Sequence, residues 1–164
     1  VSAPALLKER GAPLTESTRE TSPTYESLIR IKVKTGGGWR TLAGAAVDTK
    51  ALAGKVVVVK FFAEYCAPCT KTLPAAQALA SEHPEVAFIG ISEDERASTA
   101  AQLVQRHGLT FPVIHDAGQV LSGRFRVREM PATFVTGRDG VVRWVGGENQ
   151  DEAALRDAVE HALK

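Results

Sequence analysis

Along this 164-residue chain the spacing of apolar and polar positions changes several times, and each change predicts an element. Leu28-Ile29-Arg30-Ile31-Lys32-Val33-Lys34 alternates strictly, the signature of a half-exposed strand. Thr35-Gly36-Gly37-Gly38 then reads as a turn into a second short strand around Trp39–Leu42, an N-terminal hairpin. Asp48-Thr49 can cap a helical turn at Lys50–Ala53, stopped by Gly54. Val56 to Phe62 is an almost unbroken apolar run, which suits a strand buried on both faces. Thr70–Ala80 turns helical, and Val86–Ser92 is a second buried strand. Glu95–His107 places Ala97, Ala100, Ala101, Leu103 and Val104 at helical spacing, and Gly108 ends it. Phe111–Ile114 reads as a short strand and Ala117–Phe125 as a short helix. Ala132–Thr136 and Val141–Val145 form a hairpin through Gly137-Arg138-Asp139-Gly140, and Glu152–Leu163 is a last amphipathic helix. Helices alternating with strands, then a terminal hairpin and helix, describe an α/β domain with a mixed sheet.

Chemistry enters where the central strand hands over to a helix, at Glu64-Tyr65-Cys66-Ala67-Pro68-Cys69. The first cysteine lies near the helix N-terminus, where unpaired amides and the helix dipole favour an anion. That position lowers a thiol's pKa and supplies thiolate, the species that attacks disulfides. Cys69 is one helical turn further in, near enough to close a small ring with Cys66, and Pro68 is tolerated in a first turn. A Cys-x-x-Cys is also half of a zinc site. Zinc wants four ligands, however, and these are the chain's two cysteines, while His83, His107, His115 and His161 have no ligand-like spacing. The redox reading leads.

Composition narrows the classes. The net charge is +1, and no basic face points to nucleic acid or an anionic membrane. No apolar run approaches bilayer length. Residues 1 to about 25 are rich in Ser, Thr, Pro and Glu and read as a tail or linker, which leaves 26–164 as one domain. The chain starts at Val1, as it would after a cleaved signal peptide or anchor, or at a trimmed boundary. If the protein is membrane-tethered, the tail is the spacer.

Several motifs in order carry a family resemblance: Leu52-Ala53-Gly54-Lys55 before the central strand, the Phe61-to-Cys69 run and Pro74 in the following helix. They continue with His107-Gly108-Leu109-Thr110-Phe111-Pro112-Val113 and Val127-Arg128-Glu129-Met130-Pro131-Ala132-Thr133-Phe134. Over residues 28–164 the chain resembles the TlpA/ResA-type thiol–disulfide oxidoreductases of the AhpC/TSA–redoxin superfamily. The resemblance implies a thioredoxin fold, with 86–107 as the strand and helix that distinguish this group. It implies that the Met130–Pro131 bond is cis and lies beside the cysteines, so that Tyr65, Ala67, Pro68, Met130 and Pro131 border a substrate groove. It also implies an exported, periplasmic monomer without metal or organic cofactor. Such a protein exchanges disulfides with protein thiols and with a redox partner; the family's substrates include apocytochrome c and copper-site proteins.

Two departures stand out. Thioredoxins place a buried Asp six residues before the first cysteine, and here that residue is Lys60. ResA-type proteins place a Glu three residues after the second cysteine, and here that residue is Thr72. Two readings of Lys60 stay open: a stem packed in the sheet with its ammonium snorkelling to water, or a desolvated amine that shuttles a proton or tunes the thiolate. Glu64, the nearest carboxylate in sequence, is a second candidate for proton shuttling or thiolate tuning, although it reads as solvated. Two rival functions have less support. A peroxiredoxin-like peroxidase wants a Thr/Ser-x-x-Cys context that Ala63-Glu64-Tyr65-Cys66 does not supply. A Sco-like copper carrier using His115 would want a wider cysteine spacing.

Overall fold

The structure, a computed structural model, describes Leu42 and residues 48–164. The tail at 1–25 and the hairpin at 28–42, Leu42 excepted, lie outside the described residues. Among the described residues, five strands make one sheet: β1 (Val57–Phe62), β2 (Ala87–Ser92), β3 (Val113–His115), β4 (Ala132–Thr136) and β5 (Val142–Gly146). Their spatial order is β3-β2-β1-β4-β5. β1, β2 and β3 run parallel, whereas β4 is antiparallel to both β1 and β5, so the sheet is mixed. The order puts β1 at the centre, and all six of its residues are buried, as its unbroken apolar run requires.

Among the described residues, four α-helices cover the sheet: α1 (Ala67–Glu82), α2 (Ala97–Arg106), α3 (Val120–Phe125) and α4 (Glu152–Leu163). Alternation along β1 divides the interior in two. Val56, Val58 and Phe62 pack with Cys66 just before α1, with Cys69, Leu73, Ala76 and Leu79 from α1, Leu103 from α2, and Leu155, Ala158 and Val159 from α4. Val57, Val59 and Phe61 pack on the other side with Ile89, Ile91, Ile114, Phe134 and the α3 residues Leu121 and Phe125. A triad of rings, Phe61, Phe125 and Phe134, fills the centre of that second layer at centroid separations of 5.0–6.0 Å.

The ends of elements follow local chemistry. Asp48 Oδ1 accepts from the Lys50 amide at 2.9 Å and starts a 3₁₀ turn at Thr49–Leu52, while Gly54 adopts φ 77° beyond it. Asp151 Oδ1 accepts from the Ala154 amide at 2.7 Å, which fixes the start of α4 where the periodicity places it. α2 starts at Ala97 rather than Glu95 because Arg96 is extended (φ −115°, ψ 131°). α3 starts at Val120 rather than Ala117, since Gln119 takes a left-handed conformation (φ 49°). The Asp116 carboxylate then gathers the amides of Val120, Leu121 and Ser122 at 2.9–3.0 Å. β3 begins after Pro112, whose ring nitrogen has no hydrogen to give the ladder. Between β4 and β5, Gly140 (φ 77°) donates to the Gly137 carbonyl at 3.0 Å and closes the expected turn.

Candidate active site

β1 ends at Phe62, and a turn in which the Cys66 amide donates to the Ala63 carbonyl (3.2 Å) leads into α1. Cys66 is the N-cap, with extended backbone (φ −91°, ψ 93°), and its Sγ accepts from the Cys69 amide at 3.2 Å. A sulfur in the place of a capping oxygen sits where the helix presents free N–H groups, so the same amide is available to a thiolate after reduction. Cys66 and Cys69 are joined, with an S–S distance of 2.04 Å. The two sulfurs differ in access: Cys66 is 8% exposed, whereas Cys69 is fully covered at 0%.

The Met130–Pro131 peptide bond is cis. Ala132 lies opposite Phe61 in the β1–β4 ladder, so Pro131 falls at the end of β1 that leads to the cysteines. Met130 packs against the cluster containing both of them. Tyr65 is 66% exposed, Ala67 is exposed and Pro68 half-buried, so the expected groove residues gather at this one end of the sheet. The Tyr65 phenol is held above its ordinary pKa by partial burial and then by Glu93, Asp94 and Glu95. Pro74 sits inside α1, and Thr72 uses its hydroxyl locally, donating to the Cys69 and Pro68 carbonyls at 3.0 and 3.3 Å.

Of the two open readings of Lys60, snorkelling is corrected. The residue is 1% exposed and reaches no water-facing surface. Its cross-strand neighbours are Gly90 on β2 and Thr133 on β4, and Nζ donates to Thr133 Oγ1 at 3.3 Å. Burial alone pushes its pKa down from 10.5 to about 8. Glu64 is exposed, with its carboxylate 4.0 Å from Arg106. Its amide matters more, because it donates to Asp94 Oδ1 at 2.9 Å.

Asp94 is the residue that sequence reading missed. It is buried, its Oδ2 accepts from the Ser92 hydroxyl at 2.8 Å, and its Oδ1 holds the loop before Cys66. The signal lay in Ser92-Glu93-Asp94-Glu95, polar residues directly after a buried strand that ends level with Phe62. His115 belongs to the same corner, with Nε2 2.7 Å from the Asp94 carbonyl oxygen, so that ring nitrogen is already engaged. Glu93 has its carboxyl pushed up by burial and then by Asp116. Among the described residues, no group of three His, Cys, Asp or Glu side chains is placed to hold a metal. Trp144 packs against the cysteine-side cluster, and Arg124, Arg126, Arg128 and Glu129 are exposed. Trp39 lies outside the described residues.

The sequence model of the AhpC/TSA family matches residues 28–145. The chain belongs to the AhpC/TSA family. Within it, this AhpC/TSA chain is 34% identical over 114 residues to the thiol-disulfide oxidoreductase ResA of Bacillus thuringiensis, covering 68% of the chain and 66% of that relative. It thus spans just under two thirds of the ResA length. It is 30% identical over 122 residues to the soluble secreted antigen MPT53 of Mycobacterium tuberculosis, 72% of the chain and 70% of that relative. The crystal structure of a secreted Mycobacterium tuberculosis disulfide oxidoreductase homologous to Escherichia coli DsbE superposes with a TM-score of 0.71 at 26% identity. That match covers 76% of this chain and 95% of that one. StoA from Bacillus subtilis, at 19% identity and a TM-score of 0.64, shares the fold. The family member described here therefore has a thioredoxin-like fold, with the mixed sheet and flanking helices that its sequence predicts.

Proposed function

We propose that this chain is a thiol–disulfide oxidoreductase acting on protein substrates through Cys66 and Cys69. The observation that carries the reading is the joined pair at the N-terminus of α1, with Cys66 slightly exposed at 8% and Cys69 fully covered. In the reducing direction, the Cys66 thiolate attacks a substrate disulfide. An S–S bond to Cys66 forms, the substrate's own S–S bond breaks, and one substrate sulfur leaves as thiolate and takes a proton. Cys69 then loses its proton and attacks the Cys66 sulfur, re-forming the internal disulfide and releasing the second substrate thiol. Run backwards, the same steps donate a disulfide. Tyr65, Ala67, Pro68, Met130 and Pro131 are the surface against which a substrate strand lies, and a separate redox partner resets the pair. The named activity of ResA and the secreted nature of MPT53 support an oxidising, extracytoplasmic setting such as the periplasm.

The test is disulfide exchange with a model protein substrate, followed by gel-shift trapping. Cys66→Ser should abolish turnover, and Cys69→Ala should accumulate a mixed disulfide with substrate. Full activity in the Cys66 variant would overturn the mechanism. Rapid peroxide consumption without protein disulfide exchange would replace it with a peroxidase.

A further inference from the structure

Lys60 is the largest wholly buried polar side chain, and its surroundings raise a question that exchange chemistry alone leaves open. It lies between Val58 and Phe62 on the face of β1 that packs against Cys66 and Cys69. The Gly90 site beside it confirms the face: a methyl added there would come within 2.9–3.1 Å of Phe62, Val113 and Phe111, members of the same layer. The groups facing it can be named element by element. β4 offers the Thr133 hydroxyl, and β2 offers Gly90, with no side chain. The buried cluster on this side of the sheet holds Cys66, Cys69, Leu73 and Ala76 from the start of α1 and its cap, and Leu155, Ala158 and Val159 from α4. The buried carboxylates are committed elsewhere, Asp94 to Ser92 and the Glu64 amide, Asp116 to the amides of α3. Among the described residues, no carboxylate comes within 4.0 Å of the amine. Among the described residues, the members of this buried cluster that can gain or lose charge are the two cysteines.

We propose that Lys60 is a positioning residue for the redox pair, a buried cation whose charge favours the dithiol–thiolate state and so makes the disulfide easier to reduce. The proposal rests on the exchange reading above. A substrate dithiol supplies two electrons and two protons as it becomes a disulfide. Cys66 becomes thiolate and Cys69 takes one proton. The second proton goes to Lys60 when that amine is neutral, and to solvent when it is already an ammonium. By linkage, whatever factor the ammonium contributes to reduction is returned as a higher lysine pKa in the reduced protein.

The experiment is equilibration of wild type, Lys60→Met and Lys60→Arg with dithiothreitol across pH 6 to 10.5. Methionine keeps the stem's bulk without the charge, and at pH 7 it should shift the equilibrium toward the protein disulfide by about tenfold, one pKa unit of interaction. The gap between wild type and Lys60→Met should close above about pH 10, when the lysine is neutral in both redox states. Arginine, which does not deprotonate, should keep its gap there. Superimposable wild-type and Lys60→Met curves overturn the proposal. As a check that needs no variant, NMR of ¹³Cε-labelled lysines in the wild type should show one lysine titrating near pH 8 in the disulfide form and higher in the dithiol form. Identical titration in both forms also overturns it. If wild type fails to cycle with dithiothreitol at all, the exchange reading falls instead.

Discussion

The two faces of the sheet are built from the same strands and do different work. On the α3 side, the buried side chains of β1, β2 and β4 are all hydrocarbon: Val57, Val59, Phe61, Ile89, Ile91, Ala132 and Phe134, closed over by Leu121 and Phe125. On the α1 side, the same three strands contribute Lys60, Gly90 and Thr133 in one cross-strand row, under a helix that carries the disulfide. The first face is a packing problem solved by aromatic rings. The second holds a charge in an apolar layer, at a cost that the first face must offset. Stability and chemistry are thus separated by one residue of alternation along β1.

Substitutions can test that separation. The largest effect belongs to Cys66→Ser, which should remove exchange entirely while leaving the thermal midpoint of the dithiol form almost unmoved, checked by parallel activity and melting assays. On the opposite face, Phe134→Ala should cost about 3–5 kcal/mol in denaturant unfolding, because the ring meets both Phe61 and Phe125. Its thiol–disulfide equilibrium constant should stay within twofold of wild type, and a larger shift would show the faces to be coupled.

Next comes the charge. The folded disulfide form holds Lys60 near a pKa of about 8, against 10.5 unfolded, so between those values the unfolded chain binds more protons than the native one. Lys60 should therefore contribute a rise in the stability of the oxidised protein with pH across that window, of about 3 kcal/mol. Lys60→Met should flatten the rise and leave the oxidised protein more stable at neutral pH, read from urea midpoints at pH 7 and pH 10. Asp116→Ala removes the acceptor for three α3 amides and should cost about 1–3 kcal/mol. The smallest effect is Arg156→Ala, which breaks an exposed pairing with Glu82 and Glu152 and should leave the urea midpoint almost unmoved.

Much of this was legible along the chain, and the exceptions have reasons. α4 runs over Glu152–Leu163 as its periodicity predicts, because cap, period and end all lie within consecutive residues. The Cys66–Cys69 site was legible for the same reason. Lys60 was only half legible: alternation states which face a strand residue takes, but not whether a long side chain finds water beyond its neighbours. Asp94 was hidden because its partner is the amide of Glu64, thirty positions away and invisible to any local pattern. The start of α3 was hidden by a carboxylate that binds amides four to six residues ahead, where local propensity sees only a loop.

Pro74 has a consequence for how α1 comes apart. Proline has no amide hydrogen, so the carbonyl of Thr70, one turn back, has no ladder partner, and the turn that bears the disulfide is joined to the helix body by one bond fewer than its neighbours. Local opening can therefore begin there without disturbing Ala76 or Leu79 in the core. In deuterium exchange the amides of Cys69 to Leu73 should lose protection well before those of Gln77 to Leu79. Pro74→Ala should merge the two segments into one cooperative unit.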